Sequence, residues 1–210
     1  MKKLIFVVLA AFTIYYFKPG LFTAAKQGAF DENGKPEVWF FTSESCGQPC
    51  DEITSILDKR VDYTEFYIDE NDAKQKLKIV GAPQAYPLTV IGKQIVIGND
   101  TMKVVSTLAE EIGPDTLTSM EKKVMESHFY EDNTPAIVMY GTSSCGYCIQ
   151  MREYFKKNSI QYTELDVESE AENAFAILKG RGTPLIYIGY RRIGGANIQL
   201  VEKTISEYNL

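Results

Sequence analysis

The chain has 210 residues, 45% of them apolar and 24% charged, with a formal net charge of −6. Such a balance suits a globular protein of one or two domains; mild, scattered acidity argues against nucleic acid as a partner. Its 4 cysteines fall into two close pairs, which argues against a secreted scaffold stapled by many disulfides.

The N-terminus opens with Met1-Lys2-Lys3, followed by an uncharged run over residues 4–17. Lys18-Pro19-Gly20 breaks the run, and Thr23-Ala24-Ala25 offers small residues at a cleavage point, the pattern of an export signal. At about 1.5 Å per residue the run reaches roughly 21 Å, short of the ~30 Å hydrocarbon core. Extension through residues 4–22 gives an anchor instead, with Lys18 and Pro19 as poor membrane residues. Residues 1–25 are therefore expected to be a signal peptide or a membrane anchor. Because the lysines precede the run, either option puts the rest outside the cytoplasm, in a periplasmic or other extracytoplasmic space and, with the anchor, on the inner membrane.

From there the chain repeats itself. Laying Cys46 on Cys145 brings Val38-Trp-Phe-Phe onto Ile137-Val-Met-Tyr, Val61-Asp-Tyr-Thr-Glu onto Ile160-Gln-Tyr-Thr-Glu, and Tyr86-Pro87 onto Thr183-Pro184. Gly98 and Gly195 each follow their proline by 11 residues. Two copies of one unit are predicted, over residues 36–113 and 134–210, with a linker over 114–133. Each copy reads strand, cysteine turn, helix, strand, helix, proline-led hairpin, final helix. Strand and helix in alternation imply a parallel pair joined by a crossover. Strands over 88–91 with 94–97, and 185–188 with 191–193, are too close for one and must be antiparallel hairpins. The second helices fall on 70–79 and 169–178, with Gly180 at the latter's stop, and the last helices on 102–112 and 198–208. In the linker, Leu117, Met120, Val124 and His128 are spaced for one helical face, and Thr118 with Glu121 fits a capping box. That helix packs on the first unit or bridges the two, with His128 as a boundary residue rather than a ligand.

Cys145-Gly-Tyr-Cys148 carries the chemistry. It lies at a turn between the apolar run 136–140 and a helix-like stretch over 149–158. A C-x-x-C at the start of a helix is a redox centre, because unpaired backbone N–H groups and the helix dipole stabilise a thiolate there. The second thiol is within disulfide reach. Cys145 is the candidate nucleophile, Cys148 the resolving thiol, and Tyr147 shapes the entrance. Cys46-Gly-Gln-Pro-Cys50 spaces its thiols by one residue more, with Pro49 suited to the first helical position. It is either a second redox pair or the remnant of one in a docking domain. A zinc site is not expected, since the chain has a single histidine.

With these residues in view, the second unit resembles the glutaredoxin family of the thioredoxin fold. Cys145-Gly-Tyr-Cys148, Gly182-Thr183-Pro184 and Gly194-Gly195 fall in that family's order, over residues 134–210, and more loosely over 37–113. The resemblance implies two tandem thioredoxin-like domains, each a four-stranded mixed sheet flanked by helices. It implies thiol–disulfide exchange with protein thiols or with glutathione as co-substrate, and no tightly bound cofactor. It further implies a cis Pro184 facing the cysteines, with Thr183, Gly194 and Gly195 binding the substrate, and Tyr86 and Pro87 in the corresponding place of the first unit. Two departures stand out: Thr142-Ser143-Ser144 precede Cys145 where the family commonly has a lysine, and Ala196-Asn197 follow Gly195 where it has acidic residues. Arg191 and Arg192 either supply positive charge or form a solvated hairpin edge. Cys-Gly-Tyr-Cys and Gly-Thr-Pro also occur in exported disulfide isomerases. Two rival functions follow: a glutathione-dependent iron–sulfur carrier, and a membrane-tethered binding module with vestigial thiols.

Overall fold

In a computed structural model, residues 28–210 are described; the expected signal or anchor segment lies outside the described residues. Among the described residues no helix is long and apolar enough to cross a membrane.

The first unit runs β1 (Val38–Thr42), α1 (Gln48–Leu57), β2 (Thr64–Tyr67), α2 (Asn71–Val80), β3 (Leu88–Ile91), β4 (Gln94–Ile97) and α3 (Thr101–Glu111). A short 3-10 turn, Pro114–Thr116, leads to α4 (Ser119–Glu126). The second unit runs β5 (Ile137–Gly141), α5 (Gly146–Lys157), β6 (Thr163–Asp166), α6 (Glu172–Ile177), β7 (Leu185–Ile188), β8 (Arg191–Gly194) and α7 (Ile198–Tyr208). The two sheets have the orders β2-β1-β3-β4 and β6-β5-β7-β8. β1 pairs with β2, and β5 with β6, in parallel; the remaining neighbours are antiparallel. Both units are thus the mixed, thioredoxin-like sheet.

Burial follows from that order. β1 and β5 lie inside their sheets with both faces covered, so Val38-Trp-Phe-Phe-Thr and Ile137-Val-Met-Tyr-Gly are buried at every position. The edge strand β2 buries one residue of its four, Phe66. The repeat also reaches upstream of each first strand, because Phe30 bridges Pro36 as Phe129 bridges Pro135.

α3 holds the two units together. Val104 and Leu108 pack with Phe40 and Ile91 of the first sheet and Ile53 of α1. Met102 and Val105, on the helix's other side, pack with Val138, Tyr140 and Tyr187 of the second. Eight of its residues are buried as a result. Polar bonds close the seam: Arg191 pairs with Glu110, Tyr208 donates to Glu110 at 2.8 Å, and Lys179 donates to Thr101 at 3.2 Å.

α4 bridges the units, and its capping box forms as predicted. Its inward face differs from the expected one. Met120 is 68% exposed, whereas Glu121 and Met125 are buried. Glu121 turns inward because Arg60 of the first unit meets it at 2.9 and 3.1 Å and because it caps its own helix. His128 is buried in the core, not at a boundary: Nε2 lies 2.9 Å from the Tyr140 hydroxyl and the ring stacks on Tyr187 at 4.5 Å. Burial pushes its pKa down to about 3.

α6 is shorter than its sequence suggests, since residues ahead of it form a turn in which Glu170 accepts from the Asp166 N–H at 3.0 Å. The left-handed residue beyond α6 is Lys179, φ 47°. Gly180 is small for another reason, because a Cβ there would strike the Phe175 ring.

Candidate functional site

The helix carrying the Cys-Gly-Tyr-Cys motif starts earlier than expected, at Gly146, which makes Cys145 itself the N-cap. Ser, Thr and Asp cap helices by accepting from an orphan N–H; here the Cys145 sulfur does so, from the Cys148 N–H at 3.0 Å. The same arrangement holds a thiolate formed on reduction, adding the dipole's positive end to a hydrogen bond. The two cysteines form a disulfide with their Cα atoms 5.1 Å apart. Cys145 is half-buried, at the rim, and Cys148 is fully buried. Only the first sulfur of the pair is therefore accessible to a substrate.

Beside this rim lies a groove of about 640 Å³, within the usual range for ligand sites. Tyr147, 64% exposed, stands at its edge, and Gly182, Thr183, Gly194, Gly195 and Asn197 line it. The Thr183–Pro184 bond is cis, as is Tyr86–Pro87. Both prolines are buried, and each accepts at its carbonyl from a glycine N–H at 2.8 Å, Gly195 for Pro184 and Gly98 for Pro87.

The sequence did not disclose the groove's opposite wall, which comes from the first unit: Asn99, Asp100 and Lys103, at the start of α3. Asp100 caps α3 through the Lys103 N–H at 3.0 Å and meets Arg192 at 3.3 Å. Asn99 donates to Glu52 on α1 at 2.9 Å. The hint in the sequence was the polar Asn99-Asp100 pair just ahead of that helix.

The arginines of β8 are neither a solvated edge nor free cations. Arg191 is held by Glu110 and Glu207; burial opposes its charge, but the hydrogen bond and negative charge of Glu110 outweigh it and keep the guanidinium charged. Arg192 is buried, donating to the Leu178 carbonyl and the Tyr187 hydroxyl at 2.9 Å each. The cations left facing the groove are Lys103 and Arg181.

The first unit's cysteines also form a disulfide, with Cα atoms 5.7 Å apart. The extra residue changes the geometry. Gly47, φ 59°, is the N-cap of α1 without a side-chain bond, and Pro49 falls at the second helical residue rather than the first. Cys46 is thereby displaced one residue out of the cap. Tyr86, where the second unit has Thr183, reaches across to Ser45 with its hydroxyl at 3.4 Å.

A thioredoxin-like sheet with a disulfide at the N-cap of its first helix and a cis-proline turn beside it defines a thiol–disulfide exchange domain in its general class. The glutaredoxin family model matches residues 137–193, from β5 into β8. No curated protein matches the chain. Among solved structures, the thioredoxin-like protein BC3987 is similar at 26% identity, covering 32% of this chain and 96% of its own, TM-score 0.30. Glutaredoxin C1 from Populus tremula x tremuloides, in its holo form, is similar at 23% identity, covering 43% of this chain and 91% of its own, TM-score 0.31. A buckwheat glutaredoxin–glutathione complex is similar at 20% identity, covering 44% of this chain and 89% of its own, TM-score 0.31.

Proposed function

We propose that the chain is a thiol–disulfide oxidoreductase acting outside the cytoplasm through Cys145 and Cys148. The observation that carries this reading is the Cys145 sulfur at the N-cap of α5, accepting a backbone N–H at the edge of an open groove. In the reduced protein the Cys145 thiolate attacks a substrate disulfide, joins one substrate sulfur and expels the other as a thiolate. Cys148 then attacks Cys145, the internal disulfide closes, and the second substrate thiol leaves. The balance is one substrate disulfide reduced to two thiols and one protein dithiol oxidised; the reverse sequence donates a disulfide.

Substrates lie between Tyr147 and Thr183 on one side and Lys103 on the other, so the first unit helps to bind what the second unit reacts with. Protein thiols or glutathione are the proposed partners. The groove's unpaired cations favour an acidic or carboxylate-bearing substrate. The extracytoplasmic location rests on the lysine-led apolar run at the N-terminus, with residues 4–22 as either signal or anchor. The Cys46–Cys50 pair, displaced from its cap, is assigned a secondary role in redox chemistry or docking.

The test is a trap. A Cys148→Ser chain mixed with glutathione disulfide or an oxidised protein substrate is expected to accumulate a mixed disulfide on Cys145, and a Cys145→Ser chain none. An empty trap, with Cys145 alkylated no faster than a free thiol of pKa about 8.5, overturns the reading in favour of a binding module. A visible absorbance band after anaerobic purification would instead point to an iron–sulfur carrier.

A further inference from the structure

The repeat places Ala29, Phe41, Val90 and Ile95 of the first unit over His128, Tyr140, Tyr187 and Arg192 of the second. In the first unit Ala29, Phe41 and Val90 sit in one apolar cluster with Ile95 against it. In the second unit each of these places carries a polar group, and all of them are buried. Burying such groups costs free energy unless they find partners, and here they find them in a chain. His128 Nε2 lies 2.9 Å from the Tyr140 hydroxyl, and the His128 ring stacks on Tyr187. The Tyr187 hydroxyl accepts from Arg192 Nη1 at 2.9 Å. At Arg192 the chain reaches the groove, which that residue helps to line.

Its guanidinium meets both walls. Nε donates to Asp100 Oδ2 at 3.3 Å, Nη1 to the Leu178 carbonyl at 2.9 Å and Nη2 to the Lys179 carbonyl at 3.3 Å. Asp100 caps α3, the helix of the first unit that brings Lys103 to the groove. Leu178 and Lys179 follow α6, where the last carbonyls have no partner within the helix. They open the segment that runs through Arg181, Gly182 and Thr183 to the cis proline. Lys179 also crosses the seam itself, donating from Nζ to Thr101. The Arg192 side chain is 8% exposed against 47% for Asp100, so the tie is anchored in the core and reaches outward. A planar fork suits that task, whereas a lysine's point charge does not serve a carboxylate and separate carbonyls in fixed directions. The first unit has no such tie, because Ile95 stands in that place.

We propose that Arg192 is a positioning residue for substrate binding: it ties the start of α3 to the segment 178–184 and so holds the groove's two walls, with Lys103 on one and Arg181 on the other. This rests on the exchange function assigned above. Arg192 touches no reacting atom. Cys145 takes its activation from its own contact with the Cys148 N–H, set by residues three apart in the chain. Loss of the tie therefore weakens the hold on an anionic substrate and spares the attack itself.

The test uses the full chain, reduced and mixed with rising concentrations of the dianionic aromatic disulfide of thionitrobenzoate. In Arg192→Met the concentration giving half the limiting rate of thionitrobenzoate release is expected to rise at least about fivefold, while the limiting rate stays within about twofold. With uncharged dipyridyl disulfide both quantities change by less than about twofold. Asp100→Asn keeps the cap of α3 and cuts the tie from its exposed end, so it gives the same pattern although the groove has lost a negative charge. Were net charge all that mattered, that variant would bind the dianion more tightly. An unchanged or lower half-saturating concentration of the dianion in either folded variant overturns the proposal. A limiting rate that falls as far as binding does also overturns it, since that marks a general loss of structure. Should Arg192→Met fail to fold, Asp100→Asn decides alone. A wild-type rate no faster than a free thiol's overturns the exchange reading itself, and this proposal with it.

Discussion

Truncating Met102 should destabilise the unit to which that residue does not belong. Met102 lies on α3, the last helix of the first unit, yet it is 1% exposed and packs with Val138, Tyr140 and Tyr187 of the second sheet. Met102→Ala removes three side-chain heavy atoms from a site the neighbours cannot fill, at a cost of about 2–4 kcal/mol. In native-state hydrogen exchange such a loss appears as a roughly 30- to 1000-fold drop in protection. The drop should fall on the β5 and β7 amides, Val138 and Tyr187 among them. Leu108→Ala, on the other side of the same helix, is the partner experiment, because Leu108 packs with Phe40 and Ile53. Trp39, the single tryptophan, reports the first sheet by fluorescence. If Met102→Ala lowers the stability seen by Trp39 while β5 and β7 keep their protection within about threefold, α3 does not serve as a shared core, and the composite groove loses its footing.

Three further outcomes follow from the same geometry. His128 has a folded pKa of about 3 and about 6.5 when unfolded, so the unfolded state binds the proton more tightly. Stability is therefore unaffected by this residue above pH 6.5 and falls as pH drops below it, by about 2 kcal/mol at pH 5. Urea titrations of wild type and His128→Gln at pH 7 and pH 5 should show the variant free of that increment; an equal loss in both would refute the assignment. Lys103→Glu should slow attack on a dianionic aromatic disulfide several-fold at low salt, with the effect fading at high salt. Lys122→Glu, on α4 and outside the groove, is the control, and equal rates for the two variants would contradict the seam's role in binding. Finally, in the reduced chain Cys145 should react with iodoacetamide at least about tenfold faster than Cys46 at neutral pH, because only Cys145 caps its helix; peptide mapping after a short pulse measures the ratio, and parity would deny the cap its effect.

Much of the fold was legible because its signals are local. Continuous apolar runs marked β1 and β5, the short gap between strands forced each hairpin, and the repeated Cys and Pro spacings showed two copies of one unit. Thr118 and Glu121 announced a capping box that forms, since that motif depends on residues three apart. The cysteine pair was legible for the same reason: a cap, a turn and a dipole are all set within a few residues. The start of α5 was misplaced by three residues because the Gly146-Tyr-Cys148 stretch carries no apolar periodicity to show that it is helical.

Other features were decided by residues far apart in the chain. Whether Arg191 and Arg192 were solvated or committed depended on Glu110 and Asp100, which α3 brings alongside. The inward turn of Glu121 depended on Arg60, and the burial of His128 on Tyr140 and Tyr187. The groove's second wall is likewise a product of packing. The sequence by itself determined two thioredoxin-like units and the cysteine pairs at their first helices, because hydrogen bonds and side-chain periodicity along short stretches specify them. Only the tertiary structure decided which side chains meet across the seam, because burial and charge pairing depend on how one unit covers the other.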